Sequence, residues 1–565
     1  MFTAKKSHLG GTPNTSAKAA KATAKNGATN PFVRAAQMKT AETTSGNGSL
    51  KFNTSGNEFV DQFNKLGQYK QPRSFEQIAK ECELLWAEDK RKAVLFTFYL
   101  RLINRQVVLF DGSKTSVPQK GGELKHEAIM RMMWLHWKDK EAFWKNIGLF
   151  ASSGSWNDII KMLQYDLVYN DWDGRVLDWN KFGELILAAL NNTNTSELMK
   201  KYLPQIRANK NCNTVEAQAD NIIAKWICSL IFGTKGEATG KTYKQYRKMK
   251  TSGTAHQWQQ LISQGKHKLI DFNTVHGRAL MLMSRSKYLK NQGLEDKYNA
   301  WIVKPESKVA FTGFVNELFM KLPKTITSLE ASRRETINRQ FQTLVDKCGN
   351  GGASKLIVVR DTSGSMGSPA VGFPEMSSYD IAKAMALFFS EYQTGTFADS
   401  WIEFNNTASM RQWTGNSPVE KWYNDSSQYN GGTNFMSVIQ LFCQIKSQGV
   451  AEADFPTGIL CISDGNFNPA SLGKTNVESA LALLRRAGFS EEYVSSFVIA
   501  LWDIPNGYYG GNKQSKFETM FDVPNVFYFS GYSASIISFL SSKIRTASEL
   551  VDEALSQELM QMVQI

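Results

Sequence analysis

Asp361-Thr-Ser-Gly-Ser365 places one carboxylate and two hydroxyls at alternate positions of a short loop. Hard oxygen donors of this kind suit Mg²⁺, which asks for octahedral geometry and keeps part of its water. Alone, such a string is as readily an Asx or Ser/Thr turn, with the side chains bonding their own backbone. Two further stretches change its weight. Gly431-Gly-Thr433 precedes a helical segment and supplies a third hydroxyl. Gly458-Ile-Leu-Cys-Ile-Ser-Asp464-Gly465 is an apolar run that ends in a second carboxylate.

The elements around these residues are legible. Lys355-Leu-Ile-Val-Val-Arg360 follows Gly351-Gly352, is rich in β-branched residues, and reads as a buried parallel strand. Its carboxyl end is where ligands of open α/β sheets bind. After a turn-rich junction at 346–353, strand and helix signals alternate. Helices are expected at Tyr379–Tyr392, Val438–Lys446, Val477–Ala487 and Ala534–Lys543. Strands are expected within Phe397–Phe404, Gly458–Ile462, Val494–Leu501 and Val526–Phe529. Such alternation implies right-handed crossovers and a doubly wound, Rossmann-like parallel sheet.

The order Asp-x-Ser-x-Ser, then Thr, then Ser-Asp-Gly, each at a strand or loop end, resembles the metal-ion-dependent adhesion site of von Willebrand factor type A domains. The resemblance implies a type A domain over 353–545. It also implies that Ser363, Ser365 and Thr433 touch Mg²⁺ or another divalent cation, with Asp361 and Asp464 acting directly or through water. Three neutral hydroxyls would leave the metal electrophilic, with a position open to an acidic group of a protein partner or to a phosphate oxygen. No histidine lies between 277 and the C-terminus, so a metal hydrolase would lack an evident general base.

From about 75 to 345 the periodicity is helical. Helices are expected over Phe75–Trp86, Lys90–Val108, Glu123–Trp137, Lys140–Phe150, Asn157–Leu167 and Phe182–Leu190, separated by short Gly, Ser and Asn breaks. Successive helices without strand signals suggest antiparallel pairs stacked as a HEAT-like solenoid, in an all-α domain spanning 58–345. Gly154-Ser-Trp-Asn-Asp158 looks like the Gly-x-Trp-x-Asp string of TROVE domains. Lys225-Trp226, Tyr243-Lys-Gln-Tyr-Arg247-Lys248 and Ile270-Asp-Phe-Asn-Thr-Val275 look like a related TROVE-like family. Both families place a helical-repeat domain before a C-terminal type A domain. The resemblance implies a non-enzymatic RNA-binding protein of the Ro type, in which RNA meets a basic outer surface.

Bulk charge points the same way. The formal net charge is +14, which favours a polyanionic partner, with nucleic acid ahead of a membrane surface. Lys241, Lys244, Arg247, Lys248 and Lys250 cluster on one helix with Tyr243 and Tyr246 interleaved. Cations neutralise phosphates and aromatics stack on unpaired bases. A second cluster is Arg285, Lys287 and Lys290 with Tyr288; a third is Arg333, Arg334 and Arg339.

Residues 1–57 form a basic, low-complexity arm with seven Lys/Arg and one acidic residue, Glu42, among the first 50. It should be disordered alone, and such arms lie on nucleic acid or hold large assemblies. A C-terminal amphipathic helix is expected at Glu549–Val563, within 546–565, to pack back or bind a partner. The six cysteines are scattered without a Cys-x-x-Cys pair, which argues for a reducing compartment and against a disulfide framework or zinc cluster. No run approaches 18 apolar residues, so no membrane span is expected. No phosphate loop is present, the nearest string being Gly236-Glu-Ala-Thr-Gly240-Lys-Thr242. Together these features suggest a cytoplasmic ribonucleoprotein. The competing readings are a scaffold of a large assembly such as a phage virion, and an adaptor for a chaperone-type ATPase.

Overall fold

The computed structural model describes residues 42–44, 47–52, 54–169, 176–208, 211–233, 240–252, 257–275, 277–348, 356–470, 474–507, 523–539, 544 and 546–565. The arm up to residue 41, His256, His276, the 236–239 part of the glycine-rich string, the 349–353 part of the junction, and 540–543 lie outside the described residues.

Two strands, β1 (Glu42–Thr44) and β2 (Leu50–Phe52), pair as a short hairpin. The hairpin falls within the stretch expected to be disordered alone. Here it has a partner: Asn47 Nδ2 donates to the carbonyl of Asn466 at 2.5 Å, and Asn476 Nδ2 donates to Ser49 Oγ at 2.7 Å.

Two pairs of helices in the helical part are joined by one-residue links. Ser74 opens the helix Phe75–Glu88 with a reciprocal capping box to Gln77, and Ile78, Cys82 and Leu85 supply its buried stripe. Asp89 then adopts an extended conformation and caps Lys90–Arg101, accepting the N–H of Lys92 at 2.9 Å. Asp139 repeats the device between Lys125–Lys138 and Lys140–Ser153, accepting the N–H of Ala142 at 3.0 Å. A one-residue link leaves neighbouring helices little choice but to fold back on each other. Asp139→Ala is expected to cost about 1 kcal/mol through loss of the N-cap. An unchanged urea midpoint would show that packing alone holds the link.

The helix expected over Lys90–Val108 ends at Arg101. Beyond it, Arg105 bridges Gln119 and Val108 bridges Lys114, folding 105–119 back on itself. This loop receives the C-terminus. Leu559 N–H donates to Gln119 Oε1 at 3.0 Å, and Arg91 Nη1 donates to the carbonyl of Val563 at 2.8 Å. The tail is two short helices, Ala547–Ala554 and Glu558–Gln561, rather than one, and it packs back.

The α/β part contains a six-stranded sheet in the order β10-β9-β8-β3-β6-β7. Its strands are β3 (Leu356–Asp361), β6 (Ser400–Phe404), β7 (Ala408–Gln412), β8 (Gly458–Ser463), β9 (Val498–Asp503) and β10 (Val526–Ser530). A separate two-stranded ribbon pairs β4 (Pro369–Ala370) with β5 (Phe373–Ser377). Five sheet strands are parallel, as the alternation implies, but β7 runs antiparallel at the edge. The three residues between β6 and β7 permit a hairpin and no crossover. The residues from Val494, expected to open β9, belong instead to the helix Glu491–Ser496, which Ser490 caps. Ala534–Phe539 is 3₁₀ rather than α-helical.

The strand pleat sorts the core into two faces. Leu356, Val358, Leu460, Ile462 and Trp502 join one continuous apolar cluster that runs through the helical part to Val563. Ile357, Val359, Ile459, Cys461 and Leu501 pack on the other face against the helices Met436–Ser447 and Asn476–Arg486. The helical part and the sheet therefore share a core. A third, smaller cluster holds 258–302 together around Phe272 and Tyr298. No described helix is long and apolar enough to cross a membrane, and all six cysteines are free thiols.

Candidate metal centre and nucleic-acid interface

The chain order of the sheet reverses between β3 and β8. At such a switch point the loops leave in opposite directions and open a crevice at the carboxyl ends of the strands. Asp361 closes β3, and Ser463 closes β8 with Asp464 just beyond it. Asp361 Oδ2 accepts the Ser463 hydroxyl at 2.5 Å, and its Oδ1 accepts the N–H of Ser363 at 2.7 Å. Ser363 Oγ and Ser365 Oγ lie 3.3 Å apart. Asp464 accepts Asn466 N–H at 3.2 Å on one oxygen and Asn506 Nδ2 at 2.8 Å on the other.

The third loop is laced to the first. Gly364 N–H donates to the carbonyl of Gly431 at 3.0 Å, and Asn430 N–H donates to that of Thr362 at 2.8 Å. Gly431 has φ +70°, the left-handed turn that glycine adopts without cost. Thr433 is fixed from the opposite side, its carbonyl accepting Asn468 N–H at 2.8 Å. The three loops carrying Asp361, Ser363, Ser365, Thr433 and Asp464 are thus hydrogen-bonded into one cluster, with all five residues buried.

The electrostatics of this cluster are uncompensated. Neither Asp361 nor Asp464 forms an ion pair among the described residues. Burial, and then the charge of Asp464, raise the Asp361 carboxyl above the usual carboxylate range. Two converging buried carboxylates call for a proton or a cation between them. Among the described residues no three His, Cys, Asp or Glu side chains gather as a metal site. A cation here would rest on two carboxylates and hydroxyls, a hard-oxygen set suited to Mg²⁺. The residues fit such an ion, which would supply an electrophilic position for an incoming acidic oxygen.

Two supporting residues escaped sequence reasoning. Ser463 stood in plain sight before Asp464, but its bond to Asp361 needs strand pairing. Asn506 also donates to the carbonyl of Ser365 at 3.2 Å, tying the first loop to Asp464. It lies beyond β9 and carries no local signal. Arg360 is a third support. Its side chain is fully buried, its guanidinium sits 4.2 Å from the Trp401 ring centroid, and it pairs with Asp425 at 2.8 Å and bonds Ser427. This holds the loop that runs on to Thr433.

The basic clusters divide on inspection. On the helix Gly240–Thr251, Lys241, Lys244, Arg247 and Lys248 are exposed. Tyr243 is half-buried against the core. Tyr246, expected to be free for stacking, is fully buried and donates its hydroxyl to the carbonyl of Pro204 at 3.0 Å. It anchors the helix instead. Lys250 turns back to the carbonyl of Leu203. Lys287 and Lys290 are exposed, Arg285 is half-buried, and Tyr288 holds its hydroxyl 2.9 Å from His267 Nδ1. Arg339 is consumed by structure, donating to the carbonyls of Ile302, Lys304, Pro305 and Ser307. Arg334 bonds the carbonyl of Ile326.

The tryptophan string at 154–158 is also structural. Asp158 is buried and pairs with Arg101 at 2.5 Å. A Cβ on Gly154 would lie 2.3 Å from Arg101 Nε, so the glycine makes room for that pair. Trp156 is core, and Trp226 packs edge-on to Trp179.

Fold and site together define a doubly wound α/β domain with two buried carboxylates at its switch point, sharing a core with a helical part. No protein-family model and no curated protein matches the chain.

Proposed function

We propose that this is a non-enzymatic, TROVE-like RNA-binding protein. In this reading a HEAT-like helical domain binds RNA. A von Willebrand factor type A domain holds a divalent cation and recruits a protein partner through an acidic group. The observation that carries the RNA reading is the helix Gly240–Thr251. It has no acidic residue, it turns Lys241, Lys244, Arg247 and Lys248 to solvent, and none of the four has an ion-pair partner among the described residues. Arg247 also donates to the carbonyl of Ile206 at 3.2 Å, and the three lysines with it present charge on one face that suits a phosphate backbone. The uncompensated Asp361–Asp464 pair supports the cation.

The test is anisotropy of a labelled single-stranded RNA against salt. Binding should weaken steeply as salt rises. The K241A/K244A/K248A variant should flatten the slope of log K against log salt by about 2, at roughly 0.7 per phosphate contact. Absence of binding at low salt, or an unchanged slope in the variant, would sink the reading.

A further inference from the structure

The second and third basic clusters, 40 or more residues apart in the chain, meet in space. Arg285, at the end of the helix Arg278–Arg285, lines a cleft of about 130 Å³ with Lys287, Lys290 and Arg333, the last from the first turn of the helix Ala331–Cys348. Glu295 and Glu330 also border it, yet no carboxylate lies within ion-pair distance of any of the four cations among the described residues. Arg285 Nη1 is buried with no hydrogen-bond partner. A buried guanidinium N–H without an acceptor is costly, so its setting asks for one. Burial, and then the neighbouring charge of Arg285, push the Arg333 guanidinium below its usual range. The two guanidinium groups are close enough to repel; Tyr423 and Glu330 offset this only in part, and Arg333 donates to the carbonyl of Lys321 at 2.9 Å.

We propose that this cleft binds a terminal phosphate of a polynucleotide. Charge selects the ligand class: four cations against two carboxylates suit a multiply charged anion, and the guanidinium fork matches phosphate oxygens. Size selects the terminus. Pockets that enclose a drug-sized ligand run to roughly 300–1,000 Å³. A cleft of about 130 Å³ has room for a phosphate group and falls well short of that range. An internal phosphodiester would have to bring nucleosides on both sides, whereas a terminal phosphate enters alone and carries the greater charge. The assignment to a polynucleotide rests on the RNA reading above; the assignment to phosphate does not.

The experiment compares one single-stranded RNA sequence bearing a 5′-phosphate, a 3′-phosphate or hydroxyl ends, by calorimetry at fixed salt, with inorganic phosphate as a separate titrant. One phosphorylated form is expected to bind at least about tenfold tighter than the hydroxyl form. Arg285→Ala should abolish that preference and leave hydroxyl-ended binding in place. The exposed pair K287A/K290A, which cannot disturb the core, should reduce it. Equal affinity for all three RNAs in the parent protein would overturn the proposal while leaving RNA binding intact. Binding of inorganic phosphate that Arg285→Ala removes, with no RNA binding, would keep the phosphate site and overturn its polynucleotide source. Binding of neither would overturn both.

Discussion

Mg²⁺ is expected to raise the unfolding temperature of this protein, and Asp361→Asn to erase the rise. A cation that binds the native state at a hundredfold above its Kd adds about 2.7 kcal/mol. The native protein has good reason to accept it. Asp361 and Asp464 are both buried, no ion pair among the described residues answers either, and the charge of Asp464 adds to burial in raising the Asp361 carboxyl. The asparagine keeps the shape: its oxygen can accept the Ser363 N–H while its amide nitrogen donates to the Ser463 hydroxyl oxygen, so the fold should survive. Removing one of two like charges should leave the metal-free protein no less stable than the parent. The measurement is a thermal melt with and without Mg²⁺ at matched ionic strength. Equal shifts in parent and variant would rule out a cation held by this pair.

Asp425→Ala should be the most damaging single change in the α/β domain, at about 3–5 kcal/mol, the range for removing one partner of a buried pair. Asp425 meets Arg360 at 2.8 Å and Lys383 at 3.3 Å, and the Arg360 side chain has no exposure to water. Without the carboxylate, a guanidinium remains buried against Trp401. The loop from Asp425 to Thr433 loses its anchor, so the Mg²⁺ response should weaken as well. Burial alone would raise the Asp425 carboxyl, but Arg360 and then Lys383 override it and hold the group down to about 2. A depressed carboxylate contributes stability above its ordinary pKa near 3.9, and that contribution is lost as pH falls toward 2. The parent should lose stability across that window, and the variant should lack this component. A urea midpoint shift worth under about 1 kcal/mol would show that the pair is not a keystone.

Much of the architecture can be read without coordinates. Local physics dominates there: β-branched runs ending in turns mark β3 and β8, and Ser74, Asp89 and Asp139 mark helix starts. The five candidate ligands sit at loop positions that strand order brings together, because a doubly wound sheet puts its carboxyl ends on one edge. Other features have no local signature. Glu81, Glu127 and Arg131 on helices, and Arg73 just before one, carry no sequence sign of pairing. In the fold they form one ion-paired cluster, with Arg131 and Glu127 buried and 2.8 Å apart.

The same limit governs the basic residues. Composition determines that the chain is cationic, and periodicity places the cluster from Lys241 to Lys250 on a helix. Tertiary packing decides which of them face outward. Tyr246 and Arg339 share local context with exposed neighbours, yet one fills the core and the other binds four carbonyls. Arg285 and Arg333 are separate clusters in the chain and one cleft in space. Propensity, capping and strand–turn patterning act over a few residues and are written in sequence. Burial, shared cores and the meeting of distant charges depend on which faces pack, and that is settled by the whole chain at once.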